Sequence, residues 1–155
     1  MRDFCAVDLT CLMKDKERII TLLNEGRRHG GDPEIETVLD RSGATQEEKV
    51  AQKLMNPDKI VTMSFWEVNH GGQDALEALA QEGLIFKGYN GDGENYCGSC
   101  WCAIDGVLYK PMCNVDCEPV AKVEPNGTIN AESLNKARDY FAALGRVKAY
   151  LADGL

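Results

Sequence analysis

Seven cysteines stand in this chain, and five of them fall within 21 residues: Cys97, Cys100, Cys102, Cys113 and Cys117. Four of the five form two pairs, Cys97-x-x-Cys100 and Cys113-x-x-x-Cys117, on either side of Asp105-Gly106. An Asp-Gly step between two β-rich runs is a strong signal for a two-residue hairpin, because a type I′ turn needs positive φ at both central residues. With that turn, Ile104 pairs with Val107, Cys102 pairs with Tyr109 and Cys100 faces Pro111. Proline has no N–H to donate, so the ladder frays there. The hairpin therefore brings both pairs to its open end, and Cys97, Cys100, Cys113 and Cys117 supply the four thiolates that a tetrahedral structural zinc site needs.

This arrangement is similar to a zinc-ribbon module, and the resemblance covers only these 21 residues. Gly98 gives backbone freedom inside the first pair. The second pair has one residue more than the usual ribbon spacing and no glycine after it, and Cys102 offers a fifth thiol on the strand. Two other chemistries stay open for the same residues: a disulfide or redox use between the pairs, and reduced thiols packed as small hydrophobes. A zinc ion held by four thiolates has no open position for water or substrate, so its role would be structural. A catalytic site would more naturally use three ligands including histidine or carboxylate, and His29 and His70 are the chain's two histidines. Cys5 and Cys11 lie far off in sequence and read as buried thiols.

Charge bears on the partner. Lys and Arg number 17 against 25 acids, a net charge of −8. Positions 1–60 are nearly balanced, with 10 bases and 12 acids, whereas 61–155 carry 7 and 13. From Gly88 to Glu118, Asp92, Glu94, Asp105, Asp116 and Glu118 oppose Lys110 alone. Four thiolates around Zn²⁺ would add about −2. Many zinc ribbons touch nucleic acid, but this module would repel phosphate, so a protein with a basic surface is the expected partner. Asp92, Glu94, Asp116 and Glu118 are its candidate contacts. Arg27-Arg28-His29 is the one basic cluster; it reads as a solvated helix end or, alternatively, as an anion contact.

The elements that must position these residues follow from hydrophobic periodicity. A helix is expected over 15–24 with Ile19, Ile20, Leu22 and Leu23 inward, and a short one through Ile35, Val38 and Leu39. Thr45-Gln46-Glu47-Glu48 reads as a capping box opening a helix over 46–55. Val61, Met63 and Phe65 share one face of a strand over 60–68. Ala75, Leu76, Leu79 and Ala80 mark a helix over 73–81, and Leu84-Ile85-Phe86 starts another strand. A turn-rich loop follows over 88–95. The last segment, 131–152, is an amphipathic helix with Leu134, Ala137, Phe141, Leu144, Val147 and Leu151 on one side. No repeats, low-complexity tracts or long linkers stand out.

These elements make an α+β fold: helices with a small antiparallel sheet, a zinc-ribbon-like hairpin and a C-terminal amphipathic helix. The expected division is a core over 1–87, a cysteine-rich module over 88–124 and a closing helix over 125–155, forming one compact unit. No apolar run reaches membrane-spanning length, the first residues lack a secretory pattern, and an odd cysteine count suits a reducing cytosol. Asn90–Asn95 lacks the ligand spacing of a calcium loop, and nucleotide-binding and hydrolase motifs are missing. The function these features suggest is a small, acidic, cytosolic zinc-binding protein, non-catalytic, that regulates or inhibits a protein partner. Its sharpest form occupies a basic nucleic-acid-binding surface, as small phage-encoded inhibitors of host defence can do. Two alternatives are a winged-helix-like nucleic-acid regulator and a cysteine-dependent enzyme or redox protein. The C-terminal helix is also a candidate homo-oligomer contact.

Overall fold

The computed structural model describes residues 4–25, 27, 31–39, 59–69, 72–91 and 98–153. Strand β1 is Phe4–Leu12, followed by a 3-10 turn at Met13–Asp15 and helix α1 at Lys16–Glu25. Strands β2 and β3 are Glu34–Leu39 and Ile60–Asn69, and helix α2 is Gln73–Gln81. Strands β4, β5 and β6 are Phe86–Asn90, Ser99–Ile104 and Val107–Tyr109, and helix α3 is Ala131–Asp153. All six strands join one antiparallel sheet in the order β2-β3-β1-β4-β5-β6, which makes the fold α+β. Among the described residues, no helix is long and apolar enough to cross a membrane.

Because side chains alternate along a strand, the sheet has two differently filled faces. On one, Val7, Leu9 and Cys11 of β1, Val61, Met63, Phe65 and Val68 of β3, Phe86 of β4, and Trp101 and Ala103 of β5 form a core. Helices α1 and α2 cover it with Ile19, Ile20, Leu23, Leu76, Leu79 and Ala80. On the other, Cys100, Cys102 and Ile104 of β5 meet Tyr140, Ala143, Val147 and Leu151 of α3. Strand β4 crosses position 87–88 and pairs with both β1 and β5, so the cysteine hairpin is the edge of the same sheet that carries α1 and α2.

The hairpin has the pairs Cys102↔Tyr109, Ala103↔Leu108 and Ile104↔Val107. Asp105 and Gly106 both take positive φ, 56° and 79°, as a type I′ turn requires. The ladder stops at Tyr109, ahead of Pro111.

Three expectations need correction. The segment expected as a short helix through Ile35, Val38 and Leu39 is strand β2, whose backbone bonds go to β3 through Ile35↔Met63 and Val38↔Val61. The loop expected from Gly88 is still strand as far as Asn90. Phe141 is 56% exposed and Tyr140, at 6%, takes its place, because the buried phase of α3 runs Tyr140, Ala143, Val147, Leu151. Beyond these, residues 112–130 form two similar backbone turns that no sequence repeat marks. Val120 N–H donates to Met112 O (2.9 Å) as Asn130 N–H does to Lys122 O (2.7 Å), and Asn114 N–H donates to Glu118 O (3.0 Å) as Glu124 N–H does to Thr128 O (2.7 Å). The bridges Cys113↔Pro119 and Val123↔Ile129 complete two tandem turns offset by ten residues. Their side chains differ, so only the backbone carries the repeat. The helix expected over 46–55 lies outside the described residues.

Trp101 is fully buried and packs edge-on against Phe86, with ring centroids 5.8 Å apart. Gly88, between Phe86 and Asn90 on β4, makes room for it: a Cβ there would come within 2.1 Å of the Asp8 carbonyl oxygen and 2.7 Å of the indole. Both obstacles are rigid, one backbone and one a packed ring. Gly88→Ala should therefore destabilise the protein by about 3 kcal/mol, whereas Gly91→Ala, with nothing within 4 Å of the added methyl, should cost less than about 1 kcal/mol. Urea unfolding of the two variants checks this contrast.

Candidate functional site

Burial of Trp101 on the α1/α2 side turns its neighbours Cys100 and Cys102 toward α3. The indole Nε1–H donates to Asn90 Oδ1 at 3.0 Å, and the Ser99 hydroxyl donates to the same oxygen at 2.9 Å. Asn90 in turn offers its backbone carbonyl to the Cys117 thiol, 3.4 Å away. One buried asparagine thus ties the strand carrying Cys100 to the turn carrying Cys117.

Two of the four candidate ligands, Cys100 and Cys113, meet directly, and a third, Cys117, shares a cleft with Cys100. Cys100 Sγ and Cys113 Sγ lie 3.4 Å apart, and the Cys100 backbone N–H donates to Cys113 Sγ at 3.5 Å. Cys100 and Cys117 line a single cleft of about 390 Å³ with Tyr140, and the Cys113 thiol donates to the Pro111 carbonyl at 3.5 Å. Cys97 lies outside the described residues. Among the described residues, no group of three His, Cys, Asp or Glu side chains is arranged as a metal site. Cys102 points instead at the Tyr140 carbonyl, 4.0 Å away. Cys5 and Cys11 are buried; Cys11 belongs to the core on the opposite face.

Cys117 has φ of 60°, a left-handed conformation in which a non-glycine residue is strained. The equivalent position of the second turn is Gly127, at φ 86°. The same backbone thus uses glycine where the side chain is dispensable and cysteine where it faces the cleft.

Burial dominates the electrostatics of the thiols. It pushes Cys100 up from 9.0 to about 12, with the neighbouring Cys113 and Cys117 sulfurs adding to the rise and the Tyr140 hydroxyl opposing it. Burial likewise raises Cys102 to about 11, against a lowering by Arg146. These thiols stay protonated near neutrality, unlike a cysteine activated for nucleophilic attack. A bound metal ion would reverse that, since a coordinating thiol is deprotonated outright.

Sequence reasoning missed Tyr140, Asn90, Lys87 and Lys148. Lys87 and Lys148 line the cleft beside Asp116. Burial, and then the charge of Lys148, holds the Lys87 ammonium below its ordinary value. Lys87 and Tyr89 stand directly across from Cys102 and Cys100 in the β4–β5 ladder. That adjacency follows once Gly88 is counted as strand, but nothing local in the sequence marks Lys148.

Of the candidate partner contacts, Asp116 and Glu118 are exposed on the first tandem turn, and Asp92 and Glu94 lie outside the described residues. Arg27 is engaged within the fold: Nε–H donates to Trp66 O at 3.0 Å, and Nη1 donates to Asn24 Oδ1 at 2.7 Å and Gly31 O at 2.8 Å. Its guanidinium also sits 5.6 Å from the centre of the Phe65 ring. Arg28 and His29 lie outside the described residues.

The buried thiols give a pH dependence whose sign is fixed. Burial, then the Asp15 charge, raises Cys11 far above its ordinary 9.0. Above pH 9 the unfolded chain releases this proton and the folded chain keeps it, so stability falls as pH rises, by about 1 kcal/mol per pH unit from this thiol. Urea midpoints at pH 8, 9.5 and 11, with chelator present, should show this decline, and Cys11→Val should lose its share of it. In comparison with known proteins, the chain matches no family model, no curated protein and no solved structure.

Proposed function

We propose that Cys97, Cys100, Cys113 and Cys117 hold a structural zinc ion, and that the protein is a small, acidic, non-catalytic interaction protein that regulates or inhibits a protein partner. The observation that carries the metal reading is the 3.4 Å approach of the Cys100 and Cys113 sulfurs, with Cys117 lining a cleft that Cys100 also lines. Two further features support it. Cys117 occupies a left-handed position that its counterpart fills with glycine, a strain that a ligand role explains. Lys87 and Lys148 line the cleft where a tetrathiolate zinc centre would carry about −2. A cysteine nucleophile fits less well, because burial keeps Cys100 and Cys102 protonated. A nucleic-acid regulator fits less well because Arg27 is spent inside the fold.

The interaction reading rests on charge. Asp116 and Glu118 project from the tandem turns in a chain of net charge −8, which suits a partner with a basic surface, and its sharpest form is an inhibitor that occupies a nucleic-acid-binding surface. A reducing, cytoplasmic setting would suit the six described cysteines, which form no disulfide with one another.

Protein purified without chelator should contain about one zinc per chain, and both Cys97→Ser and Cys113→Ser should lose it together with much of the thermal stability. Cys117→Gly separates ligation from folding. Glycine relieves the left-handed strain, so in chelator this variant should match or exceed the parent's stability by up to about 1 kcal/mol. Its zinc affinity should nevertheless drop by at least about tenfold. Equal zinc affinity in the parent and Cys117→Gly, measured by competition with a chromogenic chelator, would remove Cys117 from the site.

A further inference from the structure

We infer that Cys100 and Cys113 form an oxidation site, at which a hydroperoxide converts the pair to a disulfide and so withdraws two of the four thiolates from the metal. The metal-releasing half of this inference rests on the zinc reading above; the choice of pair rests on geometry alone.

The sulfurs lie 3.4 Å apart, and a disulfide bond measures about 2.05 Å, so closure needs a relative movement of about 1.4 Å. Among the described residues, other thiols are committed elsewhere: Cys117 to the Asn90 carbonyl, Cys102 to the Tyr140 carbonyl, and Cys11 to the core on the far face of the sheet. Cys100 is held in the regular ladder of β5, whereas Cys113 lies beyond the end of β6, in the first tandem turn. Movement of Cys113 therefore breaks no sheet hydrogen bond. Cys113 is also the half-exposed member of the pair and Cys100 the buried one. Solvent reaches Cys113 first, which sets the order of events.

In the first step the terminal oxygen of the hydroperoxide passes to Cys113 Sγ. The O–O bond breaks, the sulfur is oxidised by two electrons to a sulfenic acid, and the alcohol or water derived from the hydroperoxide departs with the thiol proton. In the second step Cys100 Sγ attacks Cys113 Sγ. The S–S bond forms, the S–O bond breaks, and the hydroxyl leaves as water with the Cys100 proton. When the sulfurs start as metal-bound thiolates, solvent supplies both protons. A zinc ion held at the four cysteines would then keep only Cys97 and Cys117 as thiolate ligands and would be released.

The test is to treat the full chain, purified without chelator, with about one equivalent of hydrogen peroxide. Released zinc is read with a chromogenic chelator, and crosslinks by mass spectrometry without reduction. Cleavage before aspartate suits the mapping, because it separates 92–104, which holds Cys100, from 105–115, which holds Cys113, and both from Cys117. The expected result is a Cys100–Cys113 link, placed by fragmentation, with one zinc released per link and both changes reversed by dithiothreitol and added zinc. Cys102→Ser should leave the link intact. A link between other cysteines, or oxidation of Cys113 to a sulfinic acid with no link, would overturn the inference. If zinc is present and no link forms, the pairing falls while the zinc reading stands. If the link forms in protein that never held zinc, the pairing stands and the zinc reading falls.

Discussion

The burial of Trp101 sets the parity of the whole cysteine edge. Successive side chains of a strand point to opposite faces, so a one-residue slip would exchange them all. Placing the indole among Phe86, Gly88 and Asn90, with its N–H on Asn90 Oδ1 at 3.0 Å, leaves Cys100 and Cys102 no choice but the α3 side. A slip would put the largest fully buried side chain of the described fold against α3 and strand a buried N–H. Burial of an aromatic of this size is worth several kcal/mol, far more than any contact of a single thiol. The chemistry of the cleft therefore inherits its geometry from a residue that does not line it.

Asn90 extends that control across the sheet. Its side chain serves Trp101 and Ser99, and its backbone carbonyl serves Cys117. Such a junction explains why the loop expected from Gly88 is strand as far as Asn90. Glycines at 88 and 91 read locally as turn residues, yet Gly88 is there because the Asp8 carbonyl and the Trp101 ring leave no space for a Cβ. The cause is a non-local contact, and turn chemistry in sequence cannot distinguish it. The missed β1 has a similar explanation. Cys5, Val7, Leu9 and Cys11 are its buried set, and the period of two shows only when both cysteines are counted as strand-forming hydrophobes.

Where the governing interactions were local, the sequence was legible. The Asp105-Gly106 turn and its pairs, the inward faces of α1 and α2, and the row Val61, Met63, Phe65 all follow from period and turn type. The phase of α3 was nearly legible. Phe141 is the larger hydrophobe, but Tyr140 keeps step with Ala143, Val147 and Leu151, and its hydroxyl finds Cys100 as a partner. A polar handle on a buried ring selects the face that can satisfy it, and hydrophobicity alone ranks the two aromatics the wrong way.

The charge of the cleft shows how far composition can mislead about a site. Counted along the chain, 88–118 is strongly acidic with Lys110 as its only base. In three dimensions Lys87, one residue before that stretch, and Lys148, from α3, stand at the cleft that Cys100 and Cys117 share. Bringing two ammonium groups near each other is unfavourable, and Lys87 is held below its ordinary value by burial first and by the charge of Lys148 second. Such a pairing persists when other interactions offset the repulsion, and a group of thiolates around a divalent cation would do so at the right place and with the right sign. Asp116, on the same rim, offsets part of it already. With neutral thiols the cleft keeps a charge of about +1, from Lys87 and Lys148 against Asp116, so it suits an anionic group. A zinc tetrathiolate, at about −2, would be such a group.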